Sequence, residues 1–289
     1  PDTGRVYLLS MALLEGKLDL AAASAAIWQN AAFGTALYAI GDANNDGYAE
    51  VAFGRSVEGP AGGALAGSVF VLAGGNKLIR SGTAPVFMGS PGSMADSLAR
   101  NRLLGSFGRS LPANTFVHGA PGFSVADLDG DGVVSALVSL PTAIASASAT
   151  VTGTVTDARQ GQTLVFQAPS WITSTPFGLR FDQADRVLRS EAGGDLLGSM
   201  PSRIDLNGDR VDDLVIGAPS ASIARASMTA DAAAGRVYVV FGGLKGFAPP
   251  TGTLVTTLTN RDVPGAGQYL VERLDGQPEA FTSTHVGAD

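Results

Sequence analysis

Short runs of apolar residues recur along the chain, and each is bounded by glycine or by polar turn residues. Four of them begin with glycine: GRVYLL at Gly4, GSVFVL at Gly67, GQTLVF at Gly161 and GRVYVV at Gly235. Their β-branched, aromatic and aliphatic residues favour half-buried strands. The 38 glycines and 15 prolines are spread along the chain, which favours many short strands joined by tight turns. The pattern therefore predicts an all-β protein, built as a sandwich, a barrel or a propeller.

A second element recurs between these runs, and it consists of an acidic turn that leads into another apolar run. Its copies are DANNDGYAEVAFG from Asp42, DLDGDGVVSALVS from Asp127, DLNGDRVDDLVIG from Asp205 and a weaker DGQPEAFTSTHVG from Asp275. Internal repeats of this kind indicate that each copy belongs to one structural unit, although the units vary in length. We expect a single region over 1–289, with units at 30–90, 105–175 and 195–260 and a split unit formed by 262–289 with 1–25.

The acidic turns place oxygen atoms at alternate positions, as a hard cation requires. Calcium takes six to eight oxygen ligands at about 2.3 to 2.6 Å, whereas magnesium accepts fewer protein oxygens and keeps more water, so Ca²⁺ is the better match. The predicted ligands are Asp42, Asn44, Asp46, the carbonyl of Tyr48 and Glu50 in the first turn; Asp127, Asp129, Asp131 and the carbonyl of Val133 in the second; and Asp205, Asn207, Asp209, the carbonyl of Val211 and Asp213 in the third. Because Asp, Asn and Gly also form ordinary turns, metal-free polar bends are the alternative.

Two positions and one whole copy depart from this pattern. Ser135 occupies the ninth position of the second turn, where the first and third turns have a carboxylate. Arg210 replaces a glycine in the third turn, so the bend is expected to be strained or to shift onto Gly208. The copy that begins at Asp275 keeps few oxygen ligands in register, and we expect it to hold no ion.

A Phe-Gly pair, then D-x-N-x-D-G-x-x-D, then a strand that ends in Gly-Ala-Pro, resembles the FG-GAP repeat of integrin alpha chains and many bacterial surface proteins. Gly217-Ala218-Pro219 matches the closing motif in full, and Phe33-Gly34 matches the opening pair. The resemblance implies a β-propeller of four-stranded blades at an extracellular or cell-surface location. It also implies structural calcium on one face and ligand recognition on the other, by the loops Arg55–Ala66, Pro141–Thr150 and Pro219–Ala234.

Composition narrows the classes of function. The net charge of −7 disfavours nucleic acid as a partner, and the absence of cysteine excludes disulfides and cysteine nucleophiles. No apolar run approaches the roughly 20 residues of a membrane helix. No G-x-S-x-G motif occurs, and His118 and His285 lack the spacing of a zinc site. We therefore expect a non-enzymatic module for an unidentified protein or glycan; the alternative is the non-catalytic propeller of a larger secreted enzyme.

The chain begins within a repeat, at GRVYLL, and ends within one, at THVGAD. Two arrangements follow: a segment of a longer propeller of about seven blades, or a four-bladed ring in which the two ends complete one blade. We favour the segment, with further blades or domains in a longer chain, because an open stack leaves unpaired strand edges that neighbouring blades would cover.

Overall fold

The computed structural model describes residues 3–9, 24–31, 33–55, 68–74, 86–87, 103–108, 121–141, 161–167, 177–222, 234–243, 254–258 and 271–275. Within these ranges the protein is all-β, as the sequence predicts, apart from a 3₁₀ turn at Phe181–Gln183. The strands are β1 Thr3–Leu9, β2 Ser24–Ala31, β3 Phe33–Gly41, β4 Glu50–Arg55, β5 Ser68–Leu72, β6 Val86–Phe87, β7 Leu103–Gly108, β8 Gly122–Ala126, β9 Ser135–Leu140, β10 Gln162–Phe166, β11 Phe177–Leu179, β12 Arg186–Arg189, β13 Ser199–Ile204, β14 Asp213–Ala218, β15 Arg236–Val240, β16 Leu254–Thr257 and β17 Val271–Asp275.

Three of the four sheets share one antiparallel plan of four strands. The first sheet has the order β3-β4-β5-β7, the second β8-β9-β10-β12 and the third β13-β14-β15-β17. The N-terminal sheet pairs β1 with β2, also antiparallel. In each four-stranded sheet the acidic turn connects the first strand to the second, and the glycine-led apolar run forms the third. The two repeated sequence elements therefore occupy equivalent places in the three sheets.

A short parallel strand is added to the first, second and N-terminal sheets, beside the last antiparallel strand of each. It comes each time from the connection between the third and fourth strands of the following sheet. Thus β6 pairs with β2, β11 with β7, and β16 with β12. These exchanges link each sheet to the next along the chain. They also place β2 in the same position as β7 and β12, which are fourth strands.

The cores lie between successive sheets rather than inside any one of them. Strand β9 shows how one strand serves two cores: Ala136 and Val138 face the first sheet, while Leu137 between them faces the third. Because the second sheet is covered on both faces, its central strands β9 and β10 are buried along their whole length. The first core contains Ile40, Ala52 and Val71 from the first sheet and Phe123, Val138 and Phe166 from the second. The second core contains Leu128, Leu137 and Val165 from the second sheet and Leu214, Ile216 and Tyr238 from the third.

The sheets extend further along the chain than the units expected at 30–90, 105–175 and 195–260. Leu103–Gly108 pairs with β5 and completes the first sheet, although its Phe107-Gly108 pair suggests the start of a second unit. Asp275 is the last residue of β17, the fourth strand of the third sheet, and not the start of a turn between first and second strands. The remainder of the copy that begins there, 276–289, lies outside the described residues. Within the described ranges the sheets follow one another without closing into a ring.

Candidate metal centre

The three acidic turns share one backbone conformation. In each, the fourth and sixth residues have positive φ angles, a region that glycine occupies without strain. The pairs are Asn45 at 58° with Gly47 at 88°, Gly130 at 75° with Gly132 at 82°, and Gly208 at 79° with Arg210 at 71°. The third turn thus keeps the bend at its sixth position, where Arg210 takes the strained conformation. Of the two outcomes expected from the sequence, the structure shows strain at Arg210 and no displacement of the bend.

The first aspartate of each turn holds this bend by hydrogen bonds to the backbone. Asp42 Oδ2 accepts from the amide of Gly47 at 2.8 Å, and Asp42 Oδ1 accepts from the amide of Asp46 at 3.0 Å. Asp127 and Asp205 accept in the same way from the amides of the sixth residues of their turns, each at 2.9 Å. The side chains at alternate positions therefore point into the bend, where a cation would lie.

Two turns bring three carboxylates together. In the first, oxygen atoms of Asp42, Asp46 and Glu50 all lie within 4.8 Å of one another. In the second, the same holds for a set made up of Asp127, Asp129 and Asp131. Oxygens bound at about 2.4 Å to one calcium ion are separated by at most twice that length, so both groups fit a calcium shell. Partial burial and the neighbouring carboxylate of Asp131 raise the pKa of Asp129, as expected for like charges held together.

Glu50, the ninth residue of the first turn, also has a structural role. Its carboxylate is fully buried, and its Oε2 accepts from the amide of Ala43 at 2.7 Å. Oε1 accepts from the amide of Gly74, just after β5, at 3.1 Å. A Cβ atom on Gly74 would collide with the carbonyl of Ala49, so this close approach requires glycine. Burial raises the pKa of Glu50, and the backbone hydrogen bonds partly offset that effect.

The third turn repeats this bridge with a shorter side chain. Asp213 is fully buried and accepts from the amides of Leu206 at 2.8 Å and Gly242 at 2.9 Å. Although the structure describes Asp205, Asp209 and Asp213, they do not form a group of three converging carboxylates as the first two turns do. The shorter side chain of Asp213 serves the backbone bridge without also completing such a group.

The second turn has Ser135 in place of the bridging carboxylate, and it forms hydrogen bonds with the neighbouring turn. The amide of Asp127 donates to Asp212 Oδ2 at 2.8 Å, and the amide of Asp212 donates to the carbonyl of Asp127 at 3.0 Å. A further hydrogen bond joins the amide of Gly243 to the carbonyl of Leu128 at 3.0 Å. Asp212 was not among the predicted site residues, because its role depends on a contact between two sheets that 85 positions of sequence separate.

The residues predicted as ligands lie in three equivalent turns, and the binding of a metal by any of them stays a prediction. The carboxylates converge in the first two turns and not in the third. The carbonyl ligands predicted at Tyr48, Val133 and Val211 belong to the same bends, and their participation stays a prediction, as does that of Asn44 and Asn207.

A comparison with protein families gives one match, the FG-GAP repeat, over residues 202–240. This stretch contains the last three residues of β13, the third acidic turn, β14 and β15, and the resemblance to the FG-GAP repeat drawn from the motifs is confirmed there. No curated protein matches the chain significantly in sequence. Among the described residues, no helix is long and apolar enough to cross a membrane.

Proposed function

We propose that this chain is an extracellular binding module of the β-propeller type, stabilised by calcium. The observation that carries the proposal is the convergence of Asp42, Asp46 and Glu50 within 4.8 Å of one another in a turn that recurs in three sheets. Three carboxylates at such distances repel each other unless a cation or protons neutralise them. An all-oxygen set of this kind suits a calcium ion.

Each part of the first turn would have a separate task. Asp42 and Asp46 would hold the ion together with Asn44, the carbonyl of Tyr48 and Glu50. The bound calcium would supply positive charge that cancels the repulsion among the carboxylates. Because Glu50 also accepts from the amide of Gly74, the same side chain would connect the ion to the end of the third strand. The expected role of calcium is therefore to lock the first three strands of a sheet together.

The loops proposed to bind the partner leave the opposite ends of the strands. Since the acidic turns join first to second strands in antiparallel sheets, the connections from second to third strands lie at the other end. These connections contain Arg55–Ala66, Pro141–Thr150 and Pro219–Ala234, most of which lies outside the described residues. Loops on a rigid scaffold are common positions for recognition, which supports binding of a protein or glycan there. The alternative is the non-catalytic propeller of a larger secreted enzyme.

A melting experiment tests the role of calcium. The chain is unfolded thermally with a chelator, with calcium and with magnesium, and bound metal is measured by elemental analysis after dialysis. We expect the chelator to lower the melting temperature and calcium to restore it better than magnesium does. A melting curve that is the same under all three conditions, without bound metal, would contradict the proposal.

A loop replacement tests partner recognition separately. Replacing 223–233 by a short turn keeps the buried Ala221 and its hydrogen bond from Gly235, so it should preserve the melting temperature, because loop length has a small effect on stability. Binding to a panel of immobilised glycans and matrix proteins should be lost with this variant and retained by the parent chain. Loss of folding in the variant, or unchanged binding to the panel, would contradict the assignment of this loop.

A further inference from the structure

Part of one face of the first sheet is apolar and exposed, next to the buried Phe53 and Phe70 on the same face. Leu37 on β3 is 59% exposed and Val51 on β4 is 39% exposed, although both lie in regular strands. A cleft of about 410 Å³ separates this face from Val6 and Tyr7 of β1. We call the surface formed by Leu37, Ala39 and Val51 the open face.

The corresponding faces of the second and third sheets are buried. Val51 directly follows the ninth residue of its turn, and the residues in that position in the other sheets, Ala136 and Leu214, are both fully buried. Leu37 lies opposite Phe53, as Phe123 lies opposite Val138 in the second sheet. Phe123 is 4% exposed because the preceding sheet covers it. The open face therefore has the composition of a surface that a preceding sheet covers.

The sheet that precedes the open face is the N-terminal sheet, and two observations show which half of a sheet it is. Strand β1 contains the sequence Gly-Arg-Val-Tyr. The same four residues begin at Gly235, directly before β15, and continue into that strand, which is the third strand of its sheet. Strand β2 receives the parallel strand β6, as the fourth strands β7 and β12 receive theirs. Hence β1 and β2 correspond to third and fourth strands, and in the described part of the chain β1 forms the edge where a second strand would pair.

We propose that the open face and the outer edge of β1 bind an antiparallel strand pair of this same repeat type, made of a first strand, an acidic turn and a second strand. The second strand of the pair would hydrogen-bond to β1, and its side chain in the position of Val215 would face the cleft. The register is set by the third sheet, where Arg236 lies opposite Ala218 and Val240 opposite Leu214. Arg5 and Leu9 of β1 occupy the positions of Arg236 and Val240. The inference rests on packing and strand pairing and does not depend on calcium.

The chain itself supplies the probe. A synthetic peptide of residues 199–218 contains β13, the third acidic turn and β14, which pairs with the strand most similar to β1. It is added to the full chain in the presence of a chelator, so that calcium makes no contribution. We expect amide hydrogen exchange in Thr3–Leu9 to slow on the order of tenfold at saturating peptide, because edge amides become paired. Amides of β10, already paired on both sides, serve as the internal control.

Matched variants locate the binding surface. Leu37→Asn and Val51→Asn should each weaken the peptide on the order of tenfold, because each removes apolar area from the contact. Ile204→Asn changes an apolar side chain that is 47% exposed on the third sheet, and it should leave peptide affinity unchanged. A peptide that carries Val215→Asn should protect β1 less, because Val215 lies on the side of β14 opposite to Leu214 and Ile216, and Leu214 and Ile216 face the preceding sheet.

An isolated two-stranded hairpin is marginally stable in water, so a tethered form provides a second test. Residues 199–234 are placed directly before Gly4, which reproduces the connection that leads into Gly235 in the third sheet. Protection of β1 together with a raised melting temperature would support the proposal. Unchanged exchange at β1 in both the peptide and the tethered experiments would overturn it. Self-association of the unmodified chain that Leu37→Asn abolishes would also overturn it, since a second copy would then be the occupant.

Discussion

The first and third acidic turns have the same backbone and differ in their carboxylates. Both have left-handed residues at their fourth and sixth positions, and both use a buried ninth carboxylate to join the turn to the glycine after the third strand. Only in the first do three carboxylates lie within 4.8 Å of one another. The family match nevertheless falls on the third turn.

The repeat motif therefore specifies two properties that need not occur together. One is the bend, which the first aspartate and the ninth carboxylate stabilise through backbone amides. The other is the convergence of three carboxylates that could bind a metal, which also depends on the length of the ninth side chain. Glu50 has one more methylene group than Asp213, so it reaches two amides and still lies close to Asp42 and Asp46. The experiments below separate the two properties.

The largest expected effect is the loss of calcium stabilisation in the first turn. Asp46→Ala removes one of the three converging carboxylates. Calcium binding at one site stabilises the folded state by about 2.7 kcal/mol at a hundredfold excess of calcium over its Kd, and this variant should lose most of that stabilisation. Asp209→Ala is the matched change in the third turn and should remove less of the stabilisation. The measurement is the difference in the free energy of unfolding with and without calcium, for each variant and the parent.

The ranking of the two variants is what decides this comparison. Equal losses would show that the convergence of three carboxylates does not predict calcium affinity. A greater loss with Asp209→Ala would show that the third turn is the stronger site and that the comparison is wrong.

The ninth residues test the structural role alone. Glu50→Gln and Asp213→Asn each replace one carboxylate oxygen with an NH₂ group, which cannot accept a hydrogen bond. One buried backbone N–H therefore loses its partner in each variant. In chelator, each should lower the free energy of unfolding by about 1 to 3 kcal/mol, the range for an unsatisfied buried donor. With calcium added, Glu50→Gln should lose more of the calcium response than Asp213→Asn. Similar calcium responses in the two variants would mean that Glu50 acts only as a bridge.

A smaller effect is expected where the second turn depends on the third. Asp212→Ala removes the acceptor for the amide of Asp127. Loss of a charge-assisted hydrogen bond lowers the free energy of unfolding by about 1.5 to 3 kcal/mol at a buried site and by less at a partly exposed site such as this one. Ser220→Ala, elsewhere in the third sheet's connections, is the control for a general effect of substitution there. If calcium binding measured by titration is as tight in Asp212→Ala as in the parent, the neighbouring turn does not position Asp127.

The sequence predicts the all-β class, the strands and the three turns because these follow from local periodicity and turn chemistry. The strain at Arg210 was also foreseeable, since its position in the bend is fixed by the spacing from Asp205. The bridge from Glu50 to Gly74 and the contact of Asp212 with Asp127 could not be predicted, because they join segments that lie far apart in sequence. The parallel strands β6, β11 and β16 give no local signal of which sheet they extend, since their partners belong to the preceding sheet.

The smallest predicted effect concerns the bend itself, and it has the opposite sign. Arg210 has a φ of 71°, a conformation that costs an ordinary L-residue roughly 1 to 2 kcal/mol relative to glycine. Arg210→Gly should therefore raise the free energy of unfolding by about 1 kcal/mol, since greater flexibility of the unfolded chain offsets part of the relief. The matched change Gly47→Arg, at a φ of 88° in the first turn, should lower it by a similar amount. Asn45→Gly should change it less than Arg210→Gly does, because asparagine tolerates the left-handed region. These values are obtained from urea unfolding in chelator, and destabilisation by Arg210→Gly would show that the arginine side chain contributes more to stability than its backbone strain removes.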